Sequence, residues 1–103
     1  MRGLLIAPST DVRSGAWRLH PQVAVRPEPF GALLYHFGTR KLSFLKNRTI
    51  VAVVESLAEH PDVGSALAAA GVDPGQQAPY LHALGVLVDS NMLIAHTVLE
   101  EVR

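Results

Sequence analysis

The chain has 103 residues, 49% of them hydrophobic, and no cysteine. That suits one domain with a packed core and excludes disulfides and thiolate zinc sites. Its nine cations balance its nine acids, but residues 1–48 hold eight of the cations and two of the acids, while residues 49–103 hold one cation and seven acids; such oppositely charged halves bear on the choice of partner.

Residues 1–16 lack periodicity and contain Pro8, Ser9, Thr10, Ser14 and Gly15, which predicts a flexible N-terminal arm ahead of a domain over 17–103. The apolar run before Pro8 is too short for a secretory signal. No apolar stretch in the chain approaches the ~20 residues of a membrane span. No membrane contact is expected, and the cytoplasm is the expected location.

From Trp17 the pattern is β. "WRLHPQVAVRPE" places Trp17, Leu19, Val23 and Val25 at mostly alternating positions, a half-buried strand with Pro21 at an edge or break. "GALLYHF" and "RKLSFLK" flank a short connection and predict a β-hairpin, with Gly38 supplying a positive φ at the turn. In the second of these strands Leu42 and Phe44 share one face, and Lys41, Ser43 and Leu45 share the other. Leu45 is expected as an exposed apolar contact.

At Asn47 the period changes. Ile50, Val53, Val54 and Leu57 fall at helical spacing, with Asn47 or Thr49 as the N-cap and Pro61 as the stop. A short second helix follows, capped by Asp62 and closed by Gly71. A third runs through "PGQQAPYLHALGVLVDSN", with Leu81, Leu84 and Val88 on one stripe and Tyr80 and Leu87 flanking it. Residues 90–103 either extend it or add a strand. The fold class is α+β: a three-stranded antiparallel sheet followed by three helices, winged helix-turn-helix-like.

Little in this order is catalytic. The five histidines, His20, His36, His60, His82 and His96, make no i,i+4 pair and join no carboxylate cluster with ligand spacing, so neither metal nor cofactor is expected. His36 is read as a strand histidine at a surface or partner contact. Ser43 has no identifiable base, and no phosphate-binding loop is present. The hairpin cations Arg40, Lys41, Lys46 and Arg48 could serve a DNA-binding wing, and a winged-helix transcriptional regulator is the alternative function. Yet no Arg or Lys occurs from Thr49 to Val102, so a recognition helix would lack the phosphate attraction that supplies much of duplex affinity. No nucleic acid is expected. An unpaired strand beside the wide apolar arc of the third helix would instead make a groove for an extended peptide.

The segments "RPEPFGALLYH" (26–36), "KLSFLKN" (41–47) and "YLHALGVLVDSNML" (80–93) resemble the PqqD-like peptide-recognition domains, the recognition elements of ribosomally made, modified peptide pathways. Among these, the chain is most similar to the mycofactocin biosynthesis chaperones. The likeness runs from about Trp17 to Leu93, and "PEPFGALLY" is its most specific part. The resemblance implies a non-catalytic protein that holds the leader of a precursor peptide and presents it to a radical S-adenosylmethionine maturase. In the mycofactocin case that maturase acts on the C-terminal Val–Tyr of the precursor, on the way to a redox cofactor. The resemblance also implies that the leader adds as a strand to the third β-strand, in the cleft against the third helix. Carried onto this chain, the peptide-binding residues are Lys41, Leu42, Ser43, Phe44, Leu45 and Lys46 with Tyr80, Leu81, Leu84, Leu87 and Val88. The protein is expected as a monomer or a homodimer.

Overall fold

The computed structural model describes residues 12–96. Five strands and three α-helices follow in order: β1 Trp17–Leu19, β2 Val23–Glu28, β3 Gly31–His36, β4 Leu42–Leu45, α1 Arg48–Ser56, α2 Val63–Ala69, α3 Gln77–Asp89 and β5 Leu93–Ala95. Strands β2, β3 and β4 form the expected three-stranded antiparallel sheet, and three helices follow it.

The first strand differs in one respect from its prediction. Alternation runs through Trp17 to Val25, but Pro21 breaks it. Around this break the amide of Val23 donates to the carbonyl of His20, and the amide of Gln22 donates to Nδ1 of His20. The piece before the break, β1, leaves the main sheet and pairs antiparallel with β5, Trp17 opposite Ala95 and Leu19 opposite Leu93. The segment after α3 therefore adds a strand. Residues 1–11 of the expected arm lie outside the described residues. Over 12–16 the chain sits on the core: Val12 is buried, its carbonyl accepts from Trp17 Nε1, and Arg13 Nε donates to the buried Gln77 at 3.0 Å.

The helices start and stop where local chemistry dictates. Asn47 caps α1 by accepting from the Ile50 amide at 2.8 Å, satisfying one otherwise orphaned donor. Ile50, Val53, Val54 and Leu57 are all buried, as their spacing predicts. Gly71 ends α2 at φ +85°. There the Val72 amide bonds the Leu67 carbonyl and the Gly71 amide bonds the Ala68 carbonyl, the paired closure of a Schellman motif. Asn91 repeats the device after α3 at φ 66°, with the Met92 amide on the Leu87 carbonyl. Pro79 falls in the first turn of α3, where no intrahelical donor is lost.

Asp62 caps α2 through the Ser65 amide at 2.7 Å. Hydrogen bonds from the amide and side chain of Ser65, with Arg13 and His60 nearby, hold its carboxyl below the ordinary 3.8. A depressed carboxyl stabilises the fold above its unfolded value and loses that contribution as pH falls through the folded one. Asp62→Asn should therefore keep the cap and show a shallower loss of stability below about pH 3.8 in acid-denaturation titrations. An unchanged acid limb would remove Asp62 from that linkage.

Two expectations for the hairpin are corrected. Gly38 does not carry the positive φ; Arg40 does, at 67°. Gly38 answers a need for space, because a Cβ there would meet Gln22 Oε1 at 2.5 Å and His36 Cε1 at 2.9 Å. His36 is not at the surface. It is 2% exposed, and its Nδ1 accepts from the amides of Gly38 and Thr39 at 3.0 and 3.1 Å. The ring thus closes the β3–β4 turn, with Nδ1 as the acceptor for both turn amides.

Candidate binding cleft

The site begins with the register of the sheet. The His36 amide donates to the Lys41 carbonyl at 3.0 Å, and Leu34 faces Ser43 and Ala32 faces Leu45. Hydrogen-bonded pairs alternate in an antiparallel ladder. Lys41, Ser43 and Leu45 therefore turn their backbone groups toward β3, and Leu42 and Phe44 turn theirs outward. No strand pairs with that outer edge of β4 among the described residues.

The opposite edge of the sheet is different. The Phe37 amide donates to the Gln22 carbonyl, so in β2 the outward positions are Val23, Val25 and Pro27. Pro27 has no N–H to offer, which both explains its tolerance within a strand and blunts that edge. Strand β4 contains no proline and is the edge fit for another strand.

The same register settles which face of β4 is inner, and it reverses the expectation. Leu45 is 2% exposed and belongs to the core with Ala32 and Leu34. Leu42 and Phe44 are 55% and 58% exposed on the face away from the helices. The amphipathic count alone could not orient this strand, because both faces hold apolar residues; pairing to Ala32 and Leu34 does so.

Beside the open edge lies a cleft of about 420 Å³, lined by Phe44, Leu45, Lys46, Asn47, Ile50, Pro79, Tyr80 and Ala83. Strand β4 forms one wall, the start of α1 the floor and the first turns of α3 the other wall. Its lining is mostly apolar, with one cation and no acid. Of the residues carried over from the resemblance, Phe44, Leu45, Lys46 and Tyr80 meet here. Lys41, Leu42 and Ser43 continue the same strand away from the cleft. Leu84 and Leu87 are buried in the core, and Leu81 and Val88 are half-buried against it. Leu81 also lines a separate cleft of about 330 Å³ with Val12, Arg13 and Val86. Asn47, Ile50, Pro79 and Ala83 are lining residues that sequence reasoning did not place there. The helical spacing of Pro79, Tyr80 and Ala83 carried a signal, but α3 is apolar on most of its circumference and the stripe could not be oriented.

Elsewhere the described residues offer little chemistry. His20 and His36 pack with ring centroids 4.4 Å apart, but both Nδ1 atoms accept backbone amides, so the pair serves the turns. Among the described residues no three His, Cys, Asp or Glu side chains gather as a metal site. No described helix is long and apolar enough to cross a membrane. Helix α3, which a winged-helix regulator would place in a DNA groove, carries no Arg or Lys.

An open strand beside an apolar cleft, on a fold of this order, agrees with the comparison of sequences. The model of the Peptide chaperone MftB family matches residues 16–94. This chain belongs to that family. It is 68% identical over 103 residues to a peptide chaperone MftB of Mycobacterium ulcerans, covering 91% of this chain and 94% of the relative. It is 82% identical over 79 residues to that of Mycolicibacterium smegmatis, covering 77% and 78%. It is 77% identical over 78 residues to that of Mycobacterium tuberculosis, covering 76% and 72%. No solved structure gives a significant match.

Proposed function

We propose that this member of the MftB family holds the leader region of a ribosomally made precursor peptide as a strand added to β4, in the cleft against α3. It presents the peptide to a radical S-adenosylmethionine maturase in mycofactocin biosynthesis, in the cytoplasm, and catalyses no step itself. The observation that carries this reading is the edge of β4, unpaired among the described residues, running into an apolar cleft of about 420 Å³. Main-chain hydrogen bonds from Leu42 and Phe44 would supply affinity, and the cleft would supply selectivity. Lys41 and Lys46 at the two ends of β4 discourage indiscriminate pairing and attract an acidic leader.

Calorimetric titration of the leader into the wild type and Leu42→Pro tests this. The Leu42 N–H faces the open edge, so proline removes no ladder bond. Affinity should fall about tenfold or more, with an unchanged melting temperature. Retained affinity in Leu42→Pro would rule out strand addition. Affinity should also drop with salt and in Lys41→Glu with Lys46→Glu; indifference to both would rule out electrostatic steering. Light scattering with and without peptide distinguishes a monomer from a homodimer that uses the same edge.

A further inference from the structure

Four of the exposed large hydrophobic residues, Phe30, Phe37, Leu42 and Phe44, cluster on one surface. This is the face of the sheet turned away from the helices. Leu33 stands opposite Phe44 and Tyr35 opposite Leu42 across the ladder. The Phe30 ring lies 6.0 Å from that of Phe44, and Phe37 packs edge-on to Tyr35 at 4.9 Å. Scattered exposed apolar residues need no explanation, but a contiguous set of this kind marks a contact surface. Its outer rank, Leu42 and Phe44, consists of the same two residues whose backbone groups face the open edge.

We propose that this apolar shelf is the second half of the peptide site, so that the bound strand is read on both of its faces. The proposal rests on the strand addition argued above. A strand added to β4 lies about 4.8 Å away and alternates its side chains. One set enters the cleft over Ile50, Tyr80 and Ala83. The other set lies directly beside Leu42 and Phe44, with Phe30 and Leu33 behind them. Cross-strand neighbours at that spacing bury one another. A peptide with polar residues on its outward set would leave the shelf bare and lose that burial. The ligand class is therefore a peptide segment of about four consecutive apolar residues, one span of β4, with acids beyond its ends near Lys41 and Lys46.

Charge selects the peptide over a second copy as occupant. An antiparallel pairing of two β4 strands through their outward residues, Leu42 of each copy opposite Phe44 of the other, would bring Lys46 of each copy against Arg40 of the other, beside Lys41. Like charges placed directly opposite are destabilising. An acid-flanked peptide meets the same two lysines with complementary charge.

The test uses the fluorescently labelled leader, with serine placed at each position in turn, and follows anisotropy with the wild type, Leu42→Ser and Tyr80→Ser. Leu42 is half exposed and does not line the cleft, so Leu42→Ser should keep the wild-type melting temperature. The expected result is a contiguous run of sensitive leader positions and about fivefold weaker binding to Leu42→Ser. The Leu42 loss should couple to one parity of leader positions and the Tyr80 loss to the other. Sensitivity at every second position only, with Tyr80→Ser weakened and Leu42→Ser unaffected, would overturn the two-sided site and leave the cleft standing. Indifference to both variants, or no binding by the wild type, would overturn both readings.

Discussion

Gly31→Ala should destabilise the domain by about 3 kcal/mol, seen as a fall of about 2 M in the urea midpoint. Gly31 opens β3 at φ +156°, and a Cβ built there would stand 2.1 Å from the Leu45 carbonyl oxygen and 3.1 Å from the Asn47 amide nitrogen. Both neighbours are backbone, so no rotamer change relieves the clash. Strand β4 and the start of α1 would have to move away from β3. That segment is also the wall and floor of the cleft, so leader affinity should fall with stability. Gly71→Ala is the control. Its φ is +85° and nothing lies within 4 Å of the added methyl, so only the backbone preference is lost, at about 1 kcal/mol. A Gly31→Ala midpoint no lower than that of Gly71→Ala would show that the Leu45 carbonyl does not close over Gly31.

The glycine of "PEPFGALLY" thus has a physical reason to be there, and so do its neighbours. Pro27 blunts the far edge, Phe30 backs Phe44, and Ala32 and Leu34 form the inner rank. Where a residue type had one use, the sequence was readable in advance: the cap Asp62, the stop at Gly71, the stripe of α1; the cap of α1 was narrowed to Asn47 or Thr49, and the bond to the Ile50 amide decides for Asn47. Reading failed where a pattern permitted two solutions. Strand β4 has apolar residues on both faces, so whether Leu45 or the Leu42 and Phe44 pair lay inside depended on register to β3. His36 carried a polar label but occupies an inner-face position, because its Nδ1 is the acceptor for the turn amides. Helix α3 is apolar around most of its circumference, so Tyr80 could be assigned to the cleft while Leu84 and Leu87, equally eligible by spacing, belong to the core. The break at Pro21 was visible, but the partner of β1 lies more than seventy residues away in β5, a pairing no local pattern specifies.

Ala83→Trp should lower leader affinity by about 100-fold while leaving the fold intact. Ala83 is the small residue on the α3 wall of the cleft, between Tyr80 and the core-facing Leu84. An indole there projects into open space rather than into packed core, so it meets none of the overpacking penalty of a buried enlargement. It would instead occupy the volume that the inward side chains of an added strand require. Keeping two apolar peptide side chains out of the cleft forfeits roughly 3 kcal/mol of burial, and each 1.4 kcal/mol is about tenfold in affinity. Val86→Trp makes the comparison sharp. Val86 is 50% exposed on the same helix and lines the separate cleft with Arg13 and Leu81. That variant should bind the leader as the wild type does. Calorimetry on both variants, with melting temperatures alongside, places the peptide on one side of α3. Loss at Val86 with none at Ala83 would move the site to the cleft that Leu81 shares. Loss at Ala83 alone keeps it against β4, where the open edge, the basic ends and the apolar wall meet.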